Sequence, residues 1–118
     1  MVMEESILKT VKQLIGVPVE TTDFDLDLIV HINSVFAVLN QLGIGPSEGF
    51  EITGDTEVWS SFTDSKKLAG IKSYMVMKIK LMFDPPQNAA TIESYKELIR
   101  EFEFRSHIEG DKEENQNG

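Results

Sequence analysis

The stretch LAGIKSYMVMKIKLMF at positions 68–83 restricts the fold more than any other feature of the chain. Its second half, MVMKIKLMF, alternates around Lys78 and Lys80 as a strand would. Wound as a helix, the segment is apolar on nearly every side, because Ile71, Tyr74, Met75, Val76, Met77, Ile79, Leu81, Met82 and Phe83 cover most directions. Length and the Met and Leu content select the helix. A helix without a clean polar face has to be central, covered by its own domain and by neighbours. Asp84-Pro85-Pro86 ends it, since neither proline has a backbone N–H to donate.

The flanking segments supply the cover. SILKTVKQLI at 6–15 reads as a short helix with Ile7, Leu8, Val11, Leu14 and Ile15 on one stripe. Gly16 suits the left-handed residue that ends it, and Pro18 discourages continuation. A second helix starts near Thr22 or Asp23, either of which can cap it, and Asp23, Asp25 and Asp27 suit the positive end of its dipole. Phe24, Leu28, Ile32, Val35, Phe36, Leu39 and Leu42 line one face, and Gly43 closes it. A narrower stripe of Leu26, Val30 and Ala37 lies on the other side and invites a partner.

Residues 43–58, GIGPSEGFEITGDTEV, break the helical pattern and predict a long loop or a short β-hairpin, followed by a helical turn with Trp59 and Phe62 pointing inward. Asn88 caps a last helix running to about residue 107, with Ile92, Tyr95, Leu98, Ile99 and Phe102 on its stripe and Phe104 opposite. The sequence therefore predicts a mainly α fold, a bundle of about four helices, as one domain over 1–108. An acidic, flexible tail follows at 109–118, where no apolar residue occurs.

Composition narrows the function. The chain of 118 residues has no cysteine, which excludes disulfides and thiolate metal sites. Neither a basic leader nor a long apolar run is present, which argues against a signal peptide or a membrane span. The net charge of -9 disfavours autonomous binding to a phosphate backbone. Acid and base are segregated: 20–28 and 47–64 carry only acids, and 65–83 only lysines (Lys66, Lys67, Lys72, Lys78, Lys80). Such segregation either neutralises within one chain or guides contact between copies.

The search for chemistry is mostly negative. His31 and His107 fall on different helices, and no metal-binding spacing or phosphate loop occurs. Glu93, Glu97 and Glu101 line one helical face, as in helical metal-dependent nucleotide hydrolases, but such sites need matching acids from a second helix. Solvated surface charge is the better account. No catalytic residues, metal or cofactor are predicted.

Residues 43–105 resemble the head–tail connector (adaptor) proteins of tailed bacteriophages. The resemblance rests on Gly43, Gly45 and Pro46, then Gly49-Phe50, Thr56, Trp59 and Phe62, and above all on Tyr74, Lys78, Leu81, Phe83, Asp84, Pro85 and Pro86 within 71–86. Glu101-Phe102-Glu103-Phe104-Arg105 matches a further piece, in which relatives often carry Trp in place of Phe104. The resemblance implies a structural protein without enzymatic activity. Its copies would form a ring of about twelve beneath the portal of a filled capsid. That ring would extend the channel for double-stranded DNA without sequence-specific binding and receive the next head-completion or tail protein. It also implies docking on the portal through the C-terminal helix, here Phe104, Arg105, His107 and Ile108. From the residues themselves, Leu26, Val30, Ala37, Met77, Lys78 and Lys80 are the candidates for contact between subunits. The setting would be the virion head–tail junction, reached from the host cytoplasm, with no membrane involved. A prophage-encoded module that binds a host protein is the competing class, and a nucleotide hydrolase the third.

Overall fold

The computed structural model describes residues 5–63 and 66–117, with side chains to His107. Five helices follow in order: α1 (Ile7–Ile15), α2 (Asp25–Gln41), α3 (Trp59–Phe62), α4 (Leu68–Phe83) and α5 (Ala89–Asn117). Segment 68–83 is a helix, and α4 packs against α1, α2 and α5, as its lack of a polar face requires. Ile71, Tyr74, Met75 and Ile79 are buried along it. Each such side chain contributes roughly 1.5–3 kcal/mol of transfer free energy.

The helix ends follow local chemistry. Ser6 caps α1 by accepting the Lys9 amide at 3.2 Å, and Asn88 Oδ1 caps α5 by accepting the Ala90 amide at 2.8 Å. Gly43, at φ 80°, closes α2 with its amide on the Asn40 carbonyl and the Ile44 amide on the Leu39 carbonyl. That pair of bonds satisfies carbonyls the helix would otherwise leave open. The start of α2 differs from expectation. Phe24 occupies the cap position, and neither Thr22 nor Asp23 makes a side-chain cap bond. The first turn is held from outside instead. Lys12, 2% exposed, donates from Nζ to the Val19 carbonyl (2.9 Å), the Thr21 carbonyl and Asp25 Oδ1 (2.8 Å). This buried ammonium folds the α1–α2 linker over the last turn of α1. The linker covers that side and leaves Leu14, assigned to the core by its spacing, half exposed.

The core gathers Ile7, Leu8, Val11 and Ile15 of α1, Leu28, Ile32, Val35, Phe36 and Leu39 of α2, and the buried face of α4. Phe24 stays outside it, half exposed, with its ring edge-on to Phe83 at 5.4 Å.

Residues 43–58 are loop, not hairpin; among the described residues the one pairing there is an isolated antiparallel bridge between Ser6 and Val58. Side chains of α2 do the work that a partner strand would do. Asn33 Oδ1 accepts the Ile52 amide (2.7 Å) and its Nδ2 donates to the Ile52 carbonyl (2.9 Å). Asn40 Nδ2 donates to the Pro46 carbonyl (3.1 Å). Ile52 is thereby driven into the core. The Glu57 carboxylate accepts the Thr53 amide and hydroxyl, both at 2.8 Å, and closes a turn. Burial slightly opposes its ionisation, but these bonds from Thr53, with those from the Glu57 and Gly54 amides, hold its carboxyl below the usual range.

Helix α5 continues to Asn117, ten residues past the expected end near 107. Glu, Lys, Gln and Asn lack an apolar stripe yet do not stop a helix, and Gly110 costs only about 1 kcal/mol. The stripe on α5 is also narrower than its apolar spacing suggests. Ile99 is buried, Ile92, Tyr95 and Phe102 are half-buried, and Leu98 is half exposed. A helix lying along a single neighbour covers only a seam, and Leu98 falls beside that seam.

Candidate docking surfaces

Three surfaces carry the side chains singled out by the sequence. The first is the outer face of α2. With the core-facing residues of α2 turned toward α4, Leu26 and Val30 stand away from the core at 75% and 61% exposure, and Ala37 is exposed on the same face. At 100° per residue these three positions fall within about 40° of one another, so they form one continuous strip. Ala37 also borders a groove of about 450 Å³ between α2 and the loop, together with Asn40, Gly49 and Phe50.

The second surface is the C-terminal part of α5. Phe104 is 65% exposed, and Arg105 and His107 are exposed beside it. Arg105 pairs with Glu101 one turn back. The side chain of Ile108 lies outside the described residues. Phe104 is on the far side of α5 from the seam, as expected, while Phe102 turns inward and stacks on Tyr74 with ring centroids 4.3 Å apart.

The third surface is the seam between α4 and α5, where the predicted interface residues Met77 and Lys78 are half-buried; Lys80, also half-buried, lies elsewhere on α4. Tyr74 donates its phenol to Glu103 Oε2 at 2.6 Å, and Lys78 Nζ lies 3.4 Å from the same oxygen. Burial first, and then the bond to the Glu103 carboxylate, push the Tyr74 hydroxyl well above its ordinary value. Lys78 is therefore engaged inside the chain. Reading the sequence did not assign Glu103 this role. Its position one residue from the seam and one turn short of His107 carries no local signal for it. Lys72 likewise reaches Glu5 at 3.1 Å and lies over the Trp59 ring at 5.3 Å. Both lysines thus find carboxylates outside the two acid-only segments.

The motif residues have structural roles. Gly45 sits at φ 87°, and a Cβ there would fall 2.3 Å from Phe62 Cε1. Pro46 presents the carbonyl that Asn40 holds. Trp59 and Phe62, the ends of α3, are buried against Phe36. Phe83 meets Phe24, Asp84 caps α4, and Pro85 and Pro86 form the turn into α5. Glu93 pairs with Lys96 at 3.7 Å, and the carboxylate row of α5 lies on exposed surface. Among the described residues no group of three His, Asp or Glu side chains is placed to hold a metal ion, and no helix is long and apolar enough to cross a membrane.

Buried motif residues, a central α4 ending on Asp84-Pro85-Pro86, and apolar side chains left outside define the pattern to compare with known proteins. A family model described as phage connector protein matches residues 7–113. The chain belongs to the phage connector family. That match runs from the first residue of α1 nearly to the end of α5, so the connector family accounts for the whole helical fold. Neither a curated protein nor a solved structure matches this connector.

Proposed function

We propose that this connector is a structural subunit of a ring at the head–tail junction. The ring docks on the portal, extends the DNA channel and receives the next head-completion or tail protein. The observation that carries the reading is the presence of exposed apolar side chains on two separate elements, the outer face of α2 and the end of α5. A ring subunit needs different surfaces for its two neighbours and another for the platform beneath it. On this reading Leu26, Val30 and Ala37, with Met77, Lys78 and Lys80, serve contact between copies. Phe104, Arg105, His107 and Ile108 dock on the portal, with the acidic residues beyond 108 as a following tail. Neutral or acidic channel walls would let DNA slide without adhering.

A subunit that is monomeric when dilute fits this reading, because a portal holding many copies side by side raises their effective concentration. The test is co-sedimentation with purified portal rings. Phe104→Ala is expected to weaken binding by at least about tenfold, as loss of an aromatic anchor does, and truncation after Arg105 to weaken it further. Unchanged binding in both variants would show that the end of α5 is not the docking element.

A further inference from the structure

A groove of about 310 Å³ opens between the C-terminal half of α4 and the middle of α5, lined by Lys78, Leu81, Met82, Lys96, Ile99 and Arg100. Its floor is aliphatic and its rim carries three cations. Met82 is 46% exposed, although the segment around it is the most apolar of the chain. Lys78 and Lys96 reach Glu103 and Glu93 at 3.4 and 3.7 Å. These are longer than a close charge-assisted bond, and each ammonium has three donors, so both keep capacity for a further acceptor.

The start of α2 has the opposite pattern. Leu26 and Val30 stand out from it, and the exposed carboxylates of Glu20, Asp23 and Asp27 surround them. The patch and the groove lie on different flanks of α4. Lys78, Leu81 and Met82 of α4 line the groove, whereas Phe83 meets Phe24 beside the start of α2. At 100° per residue these three positions lie roughly 100–160° from Phe83 around the helix. Leu26 stays exposed and no residue of α2 lines the groove, so patch and groove do not meet within one chain. Between copies they form a head-to-tail contact, which repeats in one direction and closes when the rotation allows.

We propose that the α4–α5 groove of one copy receives Leu26, with Val30 beside it, from α2 of the next copy. Asp23 and Asp27 then face Lys96 and Arg100 at the rim. The aliphatic contact supplies the anchor, and the charges set direction and exclude like-to-like pairing. This pairing rests on the ring reading above and specifies the surfaces that build the ring.

The chain has no cysteine, so introduced thiols report without background. The test uses full-length protein carrying Leu26→Cys and Met82→Cys together, bound to portal rings or concentrated in free solution. A short bis-maleimide is then added. A ladder of dimers, trimers and higher multimers is expected from the double variant. Each single variant should remain monomeric, since a head-to-tail contact never brings two copies of the same residue together. Adding Arg100→Glu is expected to reduce the ladder by about tenfold, and Asp27→Lys in a mixed partner to restore it. Absence of the ladder in both settings overturns the pairing, as does equal cross-linking by a single variant. Failure of the wild-type chain to sediment with portal rings counts instead against the portal-docking function, and the ladder in free solution still decides the pairing.

Discussion

Gly45 and Gly16 have nearly the same backbone, φ 87° and 86°, but different surroundings. A Cβ at Gly16 meets nothing within 4 Å, whereas one at Gly45 runs into Phe62. Phe62 cannot move aside freely, because its ring is held by Phe36 at 4.7 Å and Phe50 at 5.5 Å. Gly16→Ala should therefore cost only the left-handed penalty, about 1 kcal/mol. Gly45→Ala should cost roughly 3 kcal/mol, the same penalty plus overpacking. Urea melts of the two variants check the difference; equal losses would mean that the aromatic cluster around Phe62 yields. The motif glycine is thus explained by what lies above it. Lys12 is the converse case at this scale. Its identity suggests solvent, yet two carbonyls and Asp25 take up its donors, so a buried cation is satisfied rather than stranded.

At the scale of the element, α5 has one main neighbour. It is about 43 Å long, at 1.5 Å per residue, nearly twice the length of α4, and packs on α4 through a narrow apolar seam. Tyr74, Phe102, Lys78 and Glu103 fasten that seam where it is least apolar. The tyrosine proton is therefore part of the attachment. Its folded pKa stands above the ordinary value of 10.0, so the folded state holds the proton more tightly than the unfolded state does. The corresponding stability is fully present below about pH 10 and is lost as pH rises beyond it. Tyr74→Phe should cost about 1 kcal/mol at neutral pH and should remove much of the alkaline loss. Tyr95→Phe, which leaves the Tyr74–Glu103 bond in place, is the control for removing a tyrosine hydroxyl. Thermal melts between about pH 8 and 11 compare them; identical slopes for the wild type and Tyr74→Phe would contradict the assignment.

For the whole molecule, the charge of -9 and the family decide what the surface can do together. In the proposed ring DNA would pass beside this chain, and an acidic protein has no electrostatic hold on phosphate. Purified chain is expected to leave the mobility of double-stranded DNA unchanged at roughly 0.15 M salt. A retarded band at micromolar protein would contradict this expectation. Of the lysines of 65–83, Lys72 and Lys78 are engaged within the chain by Glu5 and Glu103. Apart from Leu14 on α1, the large apolar side chains exposed among the described residues lie on α2 or at its cap, beside the α4–α5 seam and at the end of α5. Division of this kind suits a part that must meet different neighbours on different sides.

By itself the sequence determined whatever depends on a few consecutive residues. Gly16, Gly43 and Asp84-Pro85-Pro86 end helices where their backbone chemistry dictates, Asn88 starts one, and the periodic stripes of α1 and α2 name most of those helices' core residues. The ordered series from Gly43 to Arg105 carries the family. Only the tertiary structure decided which of those apolar positions are covered. Leu14 and Leu98 have the right spacing but no element lies over them, and Lys12 has the wrong chemistry but a linker folds across it. The loop at 43–58 is shaped by Asn40 and by Asn33, the latter 19 residues before the Ile52 backbone it holds. Propensity and periodicity are local properties of a chain, whereas burial belongs to pairs of segments brought together from afar, and no single segment encodes its partner.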